Sequence, residues 1–514
     1  MNLKIVLEAL AKRYSQRTAI IYGKRRLSYM DLEESSNRLA NALLKMGMSR
    51  GDRVAVLLAN SPEEVISYVG IIKTGATAVL LDTKYKAAEL ASLFNDCQPK
   101  ILISDDILLE PLVTVLPRFK SIQQVINLDF DHQKQFLSYS KIMAVESAQP
   151  VAVEISPEDI AHIAYTSGPA YRPKGVMLSH QDLVVTASVS GEFFEQSEKD
   201  IAVLFALPIH HAFGLVVVLL GTLFKGGAVA IMPGLSISSL TDLIEKERAT
   251  VFWGVPFVFN LIIRFAEEEG LSHDVSSLRL CVSGGAPLML GTRERFKKCY
   301  GKEIVECWGL TESVGFVNSQ PVDESGKPGS VGTPLPVYEV KVVNDYGEEL
   351  PRNQAGEVIV KGPMMKGYLS EHQSTAAAIR DGWLYTGDIG RIDEDGDLFL
   401  LGRNEELIIT KGQNIYSSDI EAVLITHAKV AEVAVVGVPD ETRGEVVRAV
   451  VRLKKGRSIS ERGLIRFCLK YLANYKLPKQ IIFVESLPGS ATGGYDKDKL
   501  KELAYTGAIL SRVV

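Results

Sequence analysis

Residues 51–81 read GDRVAVLLANSPEEVISYVGIIKTGATAVLL. The pair Gly51-Asp52 marks a turn, and Arg53 to Leu58 is a run rich in Val and Leu that reads as a strand. Pro62 opens a helix, since its missing N–H costs nothing at the first helical position, and Gly75 ends it. Thr77 to Leu81 reads as the next strand. A strand, a covering helix and a second apolar strand favour a parallel sheet with helices on its faces.

The same grammar extends outward. Apolar residues recur at Leu3, Val6, Leu7 and Leu10, a helical stripe within Met1 to Tyr14, and Ser36 to Met46 carries a second that stops at Gly47. From Ser330 to Asp397 the character changes: short apolar runs such as VYEVKVV and GEVIVKG are separated by Gly, Pro and Asn, which predicts a smaller β-rich unit. Beyond Gly402-Arg403 it changes again. Ser418 to Thr426 and Ser460 to Ala473 read as helices, and Val433 to Val438, Val446 to Leu453 and Gln480 to Val484 as strands. The fold class expected is therefore α/β. Residues 1–402 form a large N-terminal domain of helix-covered, mostly parallel sheets, with the β-rich subdomain at about 330–402. Residues 403–514 form a small α+β C-terminal domain.

A chain of 514 residues is too long for one core and fits two to four structural units. Hydrophobic residues make up 46% and charged residues 23%, an ordinary soluble composition, and the net charge of −5 argues against a nucleic-acid partner. The start lacks the unbroken apolar stretch of a secretory signal. The most apolar run, Gly214 to Phe224, is too short for a bilayer, which takes about 20 residues. A cytoplasmic protein without a transmembrane segment is expected, with a homodimer among its possible assemblies. Five cysteines at wide spacing include no CxxC pair, and the eight histidines include no HExxH, so neither a disulfide framework nor a transition-metal site is indicated.

Four short motifs bear chemistry. Tyr165-Thr166-Ser167-Gly168 follows an apolar run and precedes Pro173-Lys174-Gly175; such a turn offers N–H groups, hydroxyls and a lysine charge to phosphate oxygens. Ser283-Gly284-Gly285-Ala286-Pro287 follows the run Leu278 to Val282, and its glycines let a planar base approach the backbone. In Cys307-Trp308-Gly309-Leu310-Thr311-Glu312 a hydroxyl adjoins a carboxylate, the pair that a phosphate and Mg²⁺ use. Tyr385-Thr386-Gly387-Asp388 sets a carboxylate after a glycine turn, where it can bridge a ribose diol. Each has a bland counterpart: a hairpin loop, a strand-to-helix turn, an N-cap with a first-turn acid, a turn aspartate.

Their order and spacing resemble the acyl-CoA synthetase, peptide-synthetase adenylation domain and luciferase superfamily, closest in feel to fatty-acid or aryl-acid CoA ligases. The resemblance runs from Leu27-Ser28-Tyr29 and Gly51-Asp52-Arg53-Val54 to Leu487-Pro488. It implies an ATP-dependent, AMP-forming acid–thiol ligase that works through an acyl-adenylate, with ATP, Mg²⁺ and CoA, and with a carboxylic acid as the other substrate. CoA and a carrier-protein thiol both remain open as acceptor.

The resemblance also implies residue roles. Thr166, Ser167, Gly168 and Lys174 would lie in the phosphate loop, and Gly285, Ala286 and Pro287 would flank adenine. Trp308 and Gly309 would border base and acyl group, with Thr311 on the α-phosphate and Glu312 on magnesium. Asp388 and Arg403 would contact ribose, and His211 would front the acid pocket, whereas His210 has no family role. Glu405 would be the hinge of a mobile lid, and Lys411-Gly412 would approach the thiol acceptor.

Two positions depart from the family pattern. Pro169-Ala170-Tyr171 stands where the phosphate loop usually has Thr-Thr-Gly, and Gly494 stands where the lid usually has its lysine. Both strike adenylation. The alternative reading is therefore a member that binds AMP or acyl-AMP, or that transfers acyl groups from preformed acyl-AMP. Apolar or small pocket positions (His211, Phe213, Trp253, Val255, Gly315) suit a fatty or aromatic acid.

Overall fold

The computed structural model describes residues 1–128, 136–166, 174–232, 234, 236–270, 273–288, 290–323, 325–403, 407–488 and 497–506. The architecture is the expected one. An eight-stranded sheet contains Arg53–Leu57 at its centre, flanked by Thr77–Leu80 and Ile101–Ser104, all parallel. A nine-stranded sheet carries Val251–Gly254, Leu280–Ser283 and Val305–Trp308 side by side, also parallel. A five-stranded antiparallel sheet, from Glu339–Val343 to Leu398–Arg403, forms the β-rich subdomain.

The local reasons are those read from the sequence. Arg53–Leu57 buries every residue from Val54 onward, as a strand covered on both faces does. Pro62 is the first residue of the helix Pro62–Lys73, Ser61 caps it through Glu64 N, and Gly75 takes the left-handed φ of +73° just past its end. The helix Leu3–Arg13 buries Leu3, Leu7 and Leu10, the predicted stripe.

Two helix boundaries differ. The expected helix from Ser36 spans Tyr29–Lys45, because Ser28 and Asp31 close a capping box that starts it earlier. The helix expected to reach Ala473 ends as Glu461–Cys468, tightening into turns through Leu472. The apolar run at Gly214 forms a π-helix, Phe213–Leu220, continued by Gly221–Phe224 and buried almost throughout. Among the described residues no helix is long and apolar enough to cross a membrane.

The chain forms two compact units. Met1–Thr83, Phe94–Tyr165 and Gly175–Gly402 make the first; Lys84–Leu93, Thr166–Lys174 and Arg403–Val514 make the second. The second has its own sheet, in which Val430–Asp440 pairs with Gly444–Leu453, and Gly444–Leu453 with Gln480–Phe483. Ile420, Val423 and Leu464 pack on one face of it and Leu500 and Ala504 on the other. Lys476 is buried there between Glu89 at 3.0 Å and Asp419 at 3.1 Å, the pairing a buried ammonium needs. Glu89 comes from the short segment Lys84–Leu93, which joins this unit from far upstream.

Candidate active site

In the first unit the site is built at the C-terminal ends of three parallel strands, where open α/β sheets present their loops. Gly254 pairs with Ser283 and Ser283 with Glu306. Side chains alternate along each strand, so Ser283, Glu306 and Trp308 share one face of the sheet and Cys307 faces the other way. That opposite side is apolar. A Cβ on Gly284 would come within 2.7 Å of Cys307 Sγ and 3.3 Å of the Phe213 ring, and Phe213 meets the buried Trp253 edge-on at 5.9 Å.

The polar face is held by long-range hydrogen bonds. Trp308 Nε1 donates to Asp388 Oδ2 at 3.0 Å, and both residues are buried. A buried indole N–H requires an acceptor, and this one fixes the orientation of the carboxylate. Asp388 follows Gly387 at φ +72°, and its own N–H donates to Thr386 Oγ1. Glu312 is held in the same manner: Tyr368 Oη donates to its Oε1 at 2.9 Å, and Met365 N donates to its carbonyl.

Between Trp308 and Glu312 the chain doubles back. Gly315 N donates to Leu310 O, Val317 N donates to Trp308 O, and a Cβ on Gly309 would lie 2.6 Å from Phe316 Cα. The buried Val314 takes φ +64°, an unfavourable region for a β-branched residue, inside this turn. Gly285 takes φ +77° in the loop before Ala286 and Pro287. Glu306 lies beneath that loop. Burial pushes its carboxyl up to about 7, against the pull of Arg293 and of the Leu288 N–H that donates to it. Glu306 Oε1 and Ser283 Oγ are buried without a hydrogen-bond partner among the described residues.

The two histidines sit in a tight segment closed by Gly214, where a Cβ would lie 2.3 Å from Pro208 O. His211 is exposed, His210 is half-buried, and their rings are 4.5 Å apart. His210 Nε2 faces the buried Asp82 at 3.8 Å, so the histidine without a family role is the one beside an acid.

In the second unit, Thr166 Oγ1 donates to Lys174 O at 3.4 Å, at the two ends of the segment expected to be the phosphate loop. Gly412 and Lys411 form the turn of a hairpin in which Thr410 pairs with Gln413; both are left-handed, at φ +76° and +54°. Desolvation first, then Arg443, Lys479 and Lys84, hold the Lys411 ammonium below its usual range. Arg403 ends the strand Leu398–Arg403. Ser167, Gly168, Pro169-Ala170-Tyr171, Glu405, Gly494 and the Arg403 side chain lie outside the described residues.

Among the nucleotide candidates the first unit thus joins Trp308 to Asp388, while Thr311, Glu312, Gly309 and the Gly285–Pro287 loop extend from adjoining strand ends. Sequence reasoning did not single out Tyr368 or Glu306. Among the described residues no group of three or more His, Cys, Asp or Glu is arranged to hold a metal ion.

Residues 7–369 match the model of the AMP-binding enzyme family, and residues 419–493 that of the AMP-binding enzyme C-terminal domain. The chain belongs to this family. The AMP-binding enzyme is 33% identical to a long-chain-fatty-acid–CoA ligase of Bacillus subtilis, over 98% of this chain and 94% of that one. It is 34% identical to an indoleacetate–CoA ligase of Aromatoleum aromaticum, over 95% of each chain. Among solved structures, the amide bond synthetase McbA of Marinactinospora thermotolerans superposes with a TM-score of 0.89 at 28% identity, covering 98% of this chain and 99% of that one.

Proposed function

We propose that this AMP-binding enzyme is an ATP-dependent, AMP-forming acyl-CoA synthetase that works through an acyl-adenylate. The observation that carries the reading is the delivery of two carboxylates, Asp388 and Glu312, to strand-end loops, each held by an aromatic donor. Asp388, with Arg403, takes the ribose hydroxyls, and Trp308, Gly309 and the Gly285-Ala286-Pro287 loop border the base. Thr311 and Lys174 hold phosphate oxygens, with Thr166, Ser167 and Gly168 supplying the loop. His211 fronts the acid.

Glu312 also fits Mg²⁺, which takes one or two carboxylates together with substrate phosphate oxygens. It is half-buried, its Oε1 is oriented by Tyr368, and among the described residues no group of three or more His, Cys, Asp or Glu competes for the ion. When bound, the ion neutralises charge on phosphate oxygens.

In the first half-reaction the acid's carboxylate attacks the α-phosphorus and pyrophosphate leaves. The Lys174 ammonium and the Thr311 hydroxyl stabilise the charge that develops there. In the second, a thiol attacks the acyl carbon and AMP leaves with the bonding pair. Residues 403–514 serve as a lid that pivots at Glu405 on residues 1–402, so that Lys411-Gly412 meets the thiol in the second half. The apolar surroundings of Gly284, with Phe213, Trp253 and Cys307, suit a fatty or aromatic acid. CoA is the proposed acceptor, and the cytoplasm, where ATP and CoA are supplied, the proposed location.

Acid-dependent pyrophosphate exchange with Mg²⁺, followed by AMP release on adding CoA, tests the reading over a panel of fatty and aryl acids. Exchange with one class and AMP release dependent on CoA are expected. No exchange with any acid, alongside intact AMP binding, would instead favour a binding or acyl-transfer role, the outcome to which Gly494 and Pro169-Ala170-Tyr171 point.

A further inference from the structure

The chain carries a net charge of −5, yet residues 451–479 hold nine Lys or Arg and a single Glu, a local net of +8. Lys476 is consumed in its buried pairing with Glu89 and Asp419, and Arg452 pairs with Glu432. All seven remaining cations are exposed and, among the described residues, make no ion pair; Lys479 stands apart before the strand Gln480–Phe483, and the other six are Lys454, Lys455, Arg457, Arg462, Arg466 and Lys470. The one acid of the stretch, Glu461, is turned to other use, accepting from Ile481 N.

Three of these six cations follow one helix and three the turn that leads into it. Arg462, Arg466 and Lys470 recur every fourth residue from the helix Glu461–Cys468 into its last turn, which Leu469 N extends by donating to Ile465 O. Fourfold spacing puts them on one stripe. Lys454, Lys455 and Arg457 lie in the turn before that helix. Lys429 Nζ donates to Ser458 O in the same turn, and Lys454 N donates to Lys429 O.

Exposed apolar side chains accompany them. Leu469 follows Arg462 by seven residues, on the same stripe, and is 44% exposed; Tyr471 is 40% exposed. Phe467 meets Tyr471 at 5.1 Å and His427 at 4.8 Å, and Ile425, two residues before His427, is 46% exposed at the end of the helix Ser417–Ile425.

We propose that this face of the C-terminal unit docks on an anionic phospholipid bilayer. Charge complementarity selects a polyanionic occupant: six exposed cations with no acidic counterpart match a field of phosphodiester headgroups, each basic residue adding to the attraction within a Debye length. The apolar side chains select a bilayer over a soluble polyanion. Leu469 lies on the cationic stripe itself, and Tyr471 and Ile425 are exposed on the same unit, side chains of the kind that interfacial helices set below the headgroups. A tyrosine suits that depth, with an apolar ring and a polar tip.

The inference goes beyond the ligase reading, and its test uses no ATP, so the two fail separately. The full chain is sedimented with vesicles of phosphatidylcholine alone and of phosphatidylcholine mixed with phosphatidylglycerol. The unaltered protein should partition to the anionic vesicles at low salt and leave them at high salt. Arg462→Glu/Arg466→Glu/Lys470→Glu should weaken that partition by about tenfold or more, as should Lys454→Glu/Lys455→Glu/Arg457→Glu in the exposed turn. Reversing three exposed lysines elsewhere, Lys24→Glu/Lys246→Glu/Lys298→Glu, changes net charge equally and should have a much smaller effect. Equal binding to both vesicle types, or anionic binding unmoved by either patch variant, overturns the proposal. Vesicle-independent binding to an apo acyl carrier protein that both patch variants abolish, without vesicle binding, overturns it in favour of a protein partner.

Discussion

The strand-end loops around Trp308 and the hairpin turn at Lys411-Gly412 are built in opposite ways. In the loops, donors far away in sequence orient two carboxylates: Trp308 and Asp388 are 80 residues apart, Tyr368 and Glu312 are 56 apart. In the hairpin the hold is through backbone, with Lys411 N donating to Arg443 O at 2.8 Å and the strands pairing on either side. Burial first, and then Arg443, Lys479 and Lys84, lower the Lys411 pKa, while Asp440 pulls the other way. The first region fixes anions by side-chain packing. The second keeps a cation in place against backbone strain and like charge. Orientation is supplied in one and electrostatic potential in the other, so substitutions should separate them.

The largest effect is expected at Glu312. Glu312→Gln keeps shape and removes charge, and should slow acid-dependent pyrophosphate exchange by about 10²–10³, the scale of one electrostatic group at a reacting phosphate. Asp388→Ala should follow, weakening AMP binding by about 10²-fold in calorimetry while the melting curve stays cooperative, since a charge-assisted partner is removed. If the variant binds AMP as the parent does, the ribose assignment is lost and the comparison with it.

Glu306 offers a third break, through pH. Its folded-state pKa of about 7 lies above the ordinary glutamate value of about 4.3 because burial disfavours the anion. The unfolded chain therefore releases this proton first as pH rises. The stability contributed by Glu306 is whole below about 4.5, falls from there toward pH 7, and is lost above it. Glu306→Gln should flatten that slope, gaining roughly 2 kcal/mol on the parent at pH 8 relative to pH 5. Parallel stability curves for the two proteins in urea would refute the assignment. A smaller effect is expected for Tyr368→Phe: about tenfold in exchange rate, through the orientation of Glu312, with the Mg²⁺ concentration for half-maximal rate raised. A purely structural role would lower stability and leave that concentration alone.

How much of this was legible in the sequence depended on range. The strand–helix–strand at 51–81 is punctuated locally by Gly51, Pro62 and Gly75, and the structure uses all three. The early start of the helix Tyr29–Lys45 was written in Ser28 and Asp31, a capping pair set just ahead of the apolar stripe. The Trp308–Asp388 bond was only half-written: both residues were nucleotide candidates, but nothing local ties positions 80 apart. A Trp in a strand that must be buried needs an acceptor, and that requirement was the available signal. Tyr368, in a two-residue strand, carried none. Nor did the Lys84–Leu93 segment announce that Glu89 would meet Lys476, since ion pairs between distant segments leave no periodicity.

The smallest expected effect tests the second region alone. Lys411 occupies φ +54° beside Gly412 at +76°, the pair of left-handed residues that a two-residue hairpin turn requires. Asn-Gly or Gly-Gly would meet the requirement without the strain that a lysine bears there, so stability does not explain this residue. Lys411→Gly should stabilise the protein by about 1 kcal/mol, relieving both the left-handed cost and the repulsion from Arg443, Lys479 and Lys84. If the ammonium serves the thiol step, the same variant should slow thioester formation from synthetic acyl-AMP and leave pyrophosphate exchange unchanged. Lys411→Arg should then restore much of that rate while keeping the strain. A stabilised variant with both half-reactions intact would mean that the cation is incidental, and that the hairpin contributes only its backbone.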